Sequence, residues 1–185
     1  MAANPSPRRD QLLELAYGYV LEHGVADLSL RPLAAAVSSS PRVLLFLFGS
    51  KAGLVQALLA RARQDELALL DRARSASTGP QGDLTAVAAD VWSWLAADEH
   101  RALLKLWVEG YARSLIDQDG PWAGFAAATV ADWLEVLDDG SSSAIERTLI
   151  LGILRGALLD LLATGDRERA TAAVEQGLAL LRSVR

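Results

Sequence analysis

Apolar residues recur three to four positions apart along almost the whole chain, and no segment alternates with the period of two that a strand would show. This pattern predicts an all-α protein of about nine helices. The main interruption is a loop at residues 75–82 that is rich in Ser, Gly and Pro. We place the helices at 8–23, 30–37, 41–49, 51–74, 83–96, 99–116, 121–138, 142–163 and 166–184.

The first three predicted helices are short and carry clear start and stop signals. Gly24 is typical of a residue that ends a helix, and Ser29 of one that caps the next. A serine triplet then predicts a tight turn that leads into Ser40 as a cap and Pro41 as the first helical residue. Two short helices joined in this way predict a helix-turn-helix at residues 29–49.

An ordered set of residues extends this pattern through the first third of the chain. It consists of Arg9, Leu12, Ala16, Val20, Gly24, Ser29, Leu33, Ala34, Ser40, Leu44, Phe48, Ser50, Lys51 and Leu54. Over about residues 8–60 this set resembles the DNA-binding domain of the tetracycline-repressor (TetR) type of transcriptional regulator. The resemblance implies a helix-turn-helix DNA-binding domain at 1–50 and a helical effector-binding and dimerisation domain at 51–185, with a connecting helix at 51–74.

The resemblance places the third helix in the major groove of DNA, and the residue types there suit that role. A guanidinium such as that of Arg42 can bind O6 and N7 of guanine together, and the start of a capped helix can hold a phosphate. Arg31 is placed to reach the backbone or a base, and Lys51 is similar to a lysine that family members place on a phosphate. We predict DNA contacts at Arg31, Ser40, Pro41, Arg42, Leu45, Phe46 and Lys51.

Three positions depart from the family pattern. Ser38 stands where the turn usually holds glycine, Leu45 where a phosphate-binding tyrosine is common, and Leu47 where an aromatic residue or histidine is common. Leu45 or Phe46 could contact thymine methyl groups instead. We therefore expect few phosphate contacts, a modest affinity and a shallow salt dependence. An alternative is a helical dimer of the same fold that binds a ligand or partner without sequence-specific DNA binding.

A small helix-turn-helix reads few base pairs, so a homodimer on a palindromic operator is expected, and a repressor is the leading interpretation. The helix at 142–163 carries more apolar surface than one face needs. The resemblance implies that the last two helices of each subunit form a four-helix bundle across the two-fold axis, although the same side chains could serve as intramolecular core. The predicted dimer contacts are Leu149, Gly152, Ile153, Gly156, Leu178 and Leu181.

All five tryptophans fall after residue 90, together with further aromatic residues at helical spacing. Such a group is typical of an apolar ligand cavity, but it is equally compatible with ordinary core. The resemblance implies that this region binds a small effector that is coupled to DNA binding. The predicted ligand-binding residues are Trp92, His100, Leu103, Trp107, Tyr111, Trp122, Phe125 and Trp133, with Glu109 and Arg113 as further polar candidates.

Charge and composition narrow the possibilities further. The net charge is −5, but residues 1–74 carry nine basic and seven acidic side chains, against nine and sixteen in 75–185. The acidic part should be repelled by DNA and the first part should not. There is no cysteine, which excludes disulfides, zinc fingers and thiol nucleophiles.

No catalytic or cofactor-binding motif is present. His23 suits a helix C-terminus, and the calcium-loop-like start at Asp117 lacks its final glutamate because residue 128 is alanine. We therefore expect neither an enzyme nor a metal or other cofactor. The longest apolar run, at 149–162, is too short to span a bilayer, so a cytoplasmic protein without membrane contact is expected.

Overall fold

A computed structural model describes residues 7–25, 28–76 and 83–184. The described residues form nine α-helices and one 3₁₀ turn at Asp98–His100, with no strand, which confirms the predicted all-α class. The helices are α1 Pro7–His23, α2 Leu30–Ala36, α3 Pro41–Phe48, α4 Lys51–Ala76, α5 Leu84–Leu95, α6 Arg101–Ile116, α7 Phe125–Val136, α8 Ala144–Thr164 and α9 Arg167–Val184. Of the predicted loop at 75–82, residues 77–82 lie outside the described residues.

The start of α7 differs from the prediction by four residues. Gly124, with φ +76°, adopts a left-handed conformation that does not continue a helix, so α7 begins at Phe125 and not at Pro121. The backbone N–H of Ala126 donates to the buried hydroxyl of Ser114 in α6 at 3.1 Å. A side chain distant in sequence therefore caps this helix, which local patterning could not reveal.

The chain divides into two compact units. The first comprises Met1–Asp65 and Ala102–Ala127, and the second comprises Glu66–Arg101 and Ala128–Arg185. Both α4 and α7 run from one unit into the other. The unit boundaries differ from the division predicted at residue 50, because α6 belongs with the N-terminal helices. The division at residue 50 into DNA-binding and effector functions stays a prediction.

In the first unit, α1, α2 and α3 pack against one another around a small apolar core. Its side chains are at most 8% exposed. They are Leu12, Ala16, Val20, Leu33, Ala34, Val37, Leu44 and Phe48.

Polar contacts join α1 to α4 within the same unit. Arg61 bonds to Glu14 at 2.6 Å and to Asp65 at 2.7 Å, and its guanidinium lies 4.8 Å from the ring centre of Tyr17. The Tyr17 hydroxyl donates to Asp65 at 3.1 Å. Burial, and then the Asp65 carboxylate, raise the pKa of Tyr17 above its usual value, so the phenol stays neutral and keeps its proton for this bond.

Helix α6 completes the first unit. The Glu109 carboxylate accepts the backbone N–H of Val25 at 3.0 Å, just after the end of α1. At Gly110 an added Cβ would lie 3.0 Å from Phe125 and 3.2 Å from Leu59, so glycine allows α6 to pack closely against both side chains. Glu109, a candidate ligand-binding group, thus has a structural role at the end of α1.

In the second unit, α8 packs against α9, and α5 packs against both. The core is built from Leu and Val side chains of all three helices, including Leu95, Leu154 and Val174. A reciprocal capping box between Ser143 and Glu146 starts α8. The α5–α9 contact also has polar bonds, since the Trp92 indole donates to the Thr171 hydroxyl at 3.0 Å.

Among the described residues, no single helix is long and apolar enough to cross a membrane. Helix α3 and the first part of α4, Lys51–Asp65, reach the required length and composition only as a pair bent by 70°.

The junction between α3 and α4 depends on a glycine. A Cβ at Gly53 would lie only 2.2 Å from the carbonyl oxygen of Phe48, which is a backbone atom and cannot move aside alone. Gly53→Ala should therefore shift the junction and lower the free energy of unfolding by about 1–3 kcal/mol. Urea denaturation followed by circular dichroism at a fixed protein concentration measures this.

The matched control is Gly18→Ala in α1, where nothing lies within 4 Å of the added Cβ. This change should leave stability unchanged or raise it by up to about 1 kcal/mol, as alanine favours helix. Equal effects of the two substitutions would contradict the role of Gly53.

The turn between α2 and α3 contains the only described non-glycine residue with a positive φ. Ser38 has φ +50°, and the Ser39 N–H donates to the carbonyl of Ala34 at 2.8 Å to close the turn. A left-handed conformation costs an L-residue about 1–2 kcal/mol, which exceeds the entropy lost at a glycine. Ser38→Gly should therefore raise the free energy of unfolding by about 0.5–1 kcal/mol.

The same denaturation assay tests Ser38→Gly against Ala60→Gly, an exposed position inside α4. The control should lose about 1 kcal/mol. A loss of stability in Ser38→Gly as large as in the control would refute the strain assigned to the turn.

Candidate nucleic-acid interface

Helix α3 is capped at both ends, as its flanking residues predict. The Ser40 hydroxyl oxygen accepts the backbone N–H of Val43 at 3.3 Å, and Pro41 occupies the first helical position. Gly49, with φ +76°, ends the helix. A hydroxyl that accepts a cap bond still has its own proton, so Ser40 can also donate to a phosphate.

Two side chains of α3 are buried in the core, and the others lie outside it. Leu44 and Phe48 are buried at 1% and 8% exposure. The outward surface carries Arg42 together with Leu45, which is 40% exposed, and Phe46, which is 85% exposed. The expected arrangement of inward and outward residues on α3 is therefore present.

The other predicted contact residues lie on the flanking helices. Arg31 is exposed in the first turn of α2, and Lys51 is exposed at the start of α4. The Ser50 hydroxyl caps α4 by accepting the Gly53 N–H at 2.9 Å. Ser29 occupies the predicted cap position of α2, but its side chain makes no cap bond, and only its carbonyl accepts from Leu33.

The charge of residues 28–64 is a further signal, which the charge count over the first 74 residues does not show. No aspartate or glutamate occurs between residues 28 and 64, a stretch that contains α2, α3 and the first half of α4. Its basic residues are Arg31, Arg42, Lys51, Arg61 and Arg63. A count over residues 1–74 conceals this stretch, because the acidic residues of that part flank it. The segment would be attracted to a polyanion.

A contact between α1 and α3 was also not predicted from the sequence. The Arg9 guanidinium lies 5.0 Å from the ring centre of Phe48, within the range of a cation–π interaction. Arg9 and Phe48 both belong to the ordered set that carries the family resemblance. Their contact gives a physical reason for an arginine at the start of this pattern.

The candidate effector-binding residues are divided between the two units. In the first unit, Leu103, Trp107 and Tyr111 share one face of α6, and the Trp107 and Tyr111 rings are 5.2 Å apart. Trp122 and Phe125 are buried in the same unit at 7% and 8% exposure. These aromatic side chains could pack around a ligand or around one another.

In the second unit, the remaining candidates have structural contacts of their own. Trp92 and Trp133 are each 3% exposed, and the Trp92 indole is bonded to Thr171. The His100 ring donates through Nδ1 to the Trp94 carbonyl at 2.8 Å and stacks on its indole. Their ligand-binding role stays a prediction.

Helix α8 has an apolar face that its own unit does not cover. Ile145, Leu149 and Leu159 are 82%, 50% and 47% exposed, and nothing lies within 4 Å of an added Cβ at Gly152 or Gly156. The spacing of these positions alternates between four and three residues, which aligns them along one side of the helix. We call these five residues the α8 seam.

The other predicted dimer residues are placed differently. Leu178 is 3% exposed within the core of the second unit, so it has no free surface to offer a partner. Ile153 is half-buried against Gly177 of α9, and Leu181 is also half-buried. An apolar residue with helical spacing can face either side of a packed pair, and sequence alone did not distinguish them.

Comparisons with known proteins add independent information. No family model matches the sequence, and no curated protein matches it significantly. The crystal structure of the multidrug binding protein EbrR complexed with imidazole is similar, with 25% identity, a TM-score of 0.70, and coverage of 96% of this chain and 93% of that one. A TetR-family regulator from Rhodococcus sp. has 19% identity and a TM-score of 0.68, over 95% and 98% of the two chains.

The fatty acid degradation regulator FadR from Bacillus halodurans is also similar, at 18% identity and a TM-score of 0.60 over 96% of both chains. All three likenesses extend over more than nine-tenths of each chain. The order and packing of the helices are thus shared from α1 to α9, well beyond the third of the sequence that carries the motif. The chain has the fold of the TetR-type transcriptional regulators, as its N-terminal residues indicated.

Proposed function

We propose that the chain is a homodimeric, DNA-binding transcriptional regulator, a repressor that binds a palindromic operator and responds to a small apolar effector. The observation that carries the proposal is the outward surface of α3, with Arg42 beside exposed apolar groups in a segment that lacks acidic residues. The TetR-type fold supports it. The proposal concerns binding and not catalysis.

Each contact residue has a role in this proposal. Arg42 reads a guanine in the major groove by a bidentate hydrogen bond, and Leu45 and Phe46 contact base edges. Ser40 and Pro41 form the N-terminal end of α3, which approaches a phosphate. Arg31 and Lys51 bind phosphates on either side of the groove and set the orientation of the helix.

Replacement of Arg42 tests this assignment. Fluorescence anisotropy with the duplex upstream of the protein's own gene, and with duplexes selected from random sequence, should yield a specific site for the wild type. Arg42→Ala should lose about 1–3 kcal/mol of discrimination at one base pair per half-site, because the bidentate bond is lost. Lys105→Ala, an exposed charge on α6, is the matched control and should bind like the wild type.

The same titration against salt concentration counts the phosphate contacts. Two or three cations per subunit give a dimer a slope of about −4 to −5 in log K against log salt. A slope near −10 would contradict the small contact set, and an Arg42→Ala variant with unchanged affinity and preference would contradict the role of Arg42.

The second candidate function is a ligand- or partner-binding dimer that does not recognise DNA sequence. It is favoured by the single cation, Arg42, on an otherwise apolar α3 surface. If the protein binds no duplex at low salt although it is folded and dimeric, this second function replaces the first.

The dimer interface is proposed to form along the α8 seam, with Leu180 of α9, which is 58% exposed, at its border. The two glycines would let a second copy of α8 approach closely. Gly156→Arg should place a charge in this contact and shift the scattering mass from twice 19.7 kDa toward 19.7 kDa at micromolar concentration.

Ala60→Arg, an exposed position on α4, is the control for this experiment and should remain dimeric. A wild type that is monomeric at these concentrations would remove the proposed dimer. A Gly156→Arg variant that dimerises as tightly as the wild type would move the interface elsewhere.

The effector is proposed to bind beside the Trp107–Tyr111 pair, where Tyr111 is only half-buried. EbrR, which has the same fold, is a multidrug binding protein described with imidazole and with proflavin. An apolar or aromatic compound is the corresponding class for this chain. The candidate tryptophans of the second unit, Trp92 and Trp133, are expected to respond to binding through their fluorescence.

Coupling between the two sites gives a quantitative test. A compound found by thermal shift should change operator affinity by some factor, and operator DNA should change the affinity for the compound by the same factor. Tyr111→Ala should lower the affinity for the compound about tenfold. The affinity for the operator in the absence of the compound should stay unchanged. Tryptophan quenching and anisotropy measure the two affinities, and unequal factors would show that the compound acts elsewhere, for example on the DNA.

A further inference from the structure

Phe46 is the most exposed large apolar side chain among the described residues, at 85%. It cannot turn inward, because Leu44 and Phe48 already direct the opposite side of α3 to the core. The helix is held by the Ser40 cap and ended by Gly49. The Phe46 ring is therefore held on the outside of α3. Its burial against a partner would be favourable, because it would remove apolar surface from water.

The surroundings of Phe46 restrict what that partner can be. Arg42 lies one helical turn before Phe46 on the same side of α3, and no acidic residue occurs within residues 28–64. A complementary partner therefore presents an apolar group within a negative surface. The C5-methyl group of thymine, at the edge of the major groove and between two phosphate backbones, has this chemistry.

We propose that Phe46 reads a thymine methyl group in the operator, and that this contact, with Arg42, sets the sequence preference of each half-site. The inference rests on the proposed DNA-binding function and deepens it. Leu45, at 40% exposure, borders the contact.

The geometry of α3 also gives the spacing of the two bases. Arg42 and Phe46 are four positions apart, and a rise of 1.5 Å per residue places them about 6 Å apart along the helix. Base pairs are stacked at about 3.4 Å, so the guanine read by Arg42 and the thymine read by Phe46 should be about two steps apart.

The test removes the methyl group and nothing else. Duplexes that bind the full-length wild type are selected from random sequence, and each thymine of the selected half-site is then replaced in turn by deoxyuridine. Base pairing is unchanged by this replacement. One thymine in each half-site should be sensitive to this replacement. Deoxyuridine at that position in one half-site should lower the affinity about fourfold, and in both half-sites about fifteenfold.

Variants assign the effect to the residue. Phe46→Ala should bind the thymine and deoxyuridine duplexes equally, because the ring that contacts the methyl group is gone. Arg42→Ala is the matched control, and it should keep the deoxyuridine penalty while it loses the guanine preference. Phe46 is exposed, so Phe46→Ala should keep the wild-type melting temperature, which verifies that the fold is intact.

Two outcomes overturn the inference, and they are distinguishable. If the wild type selects a site but tolerates deoxyuridine at every thymine, or if Phe46→Ala retains the full penalty, DNA recognition stands and the methyl contact is wrong. If the wild type selects no site, DNA recognition itself fails. Phe46-dependent binding to anionic vesicles in that case would identify a membrane as the partner.

Discussion

The orientation of α3 determines which of its side chains face outward. An eight-residue helix can bury only one narrow side, and Leu44 and Phe48 occupy it. The Arg9 guanidinium lies over the Phe48 ring, and Gly53 allows α4 to begin close to the Phe48 carbonyl. Phe48 thus contacts α1 through its ring and the start of α4 through its carbonyl group, and the outward placement of Arg42 follows from the burial of Leu44 and Phe48.

Much of the first unit was predictable because its signals are local. A serine followed by proline marks the start of α3, and a glycine with positive φ marks the end of α1 at Gly24. The predicted role of His23 at the end of α1 also agrees with its bond to the Tyr19 carbonyl at 2.9 Å. Capping of this kind depends on a few adjacent residues, so a single sequence contains most of its signals, although the Ser29 side chain makes no cap bond.

Features that depend on distant partners were not predictable in the same way. The start of α7 depends on a hydroxyl from α6, and the burial of Leu178 depends on which side of α9 faces α8. The positions of the candidate ligand-binding residues were also not predictable. Helical spacing shows which aromatic residues share a helix face, but not which unit each of them belongs to. Glu109 looked like a ligand-binding group, yet its carboxylate accepts the backbone N–H of Val25.

The path of the chain between the two units has a consequence for recombination. The backbone passes from one unit to the other three times, after residues 65, 101 and 127. A fragment that ends at residue 65 would lack the carboxylate of Glu109 at the end of α1 and the backbone of Gly110 that packs close to Leu59. Exchange of the helix-turn-helix between proteins as one contiguous piece would therefore remove both contacts. A chimera that preserves these contacts would also carry residues 102–127 of the same parent.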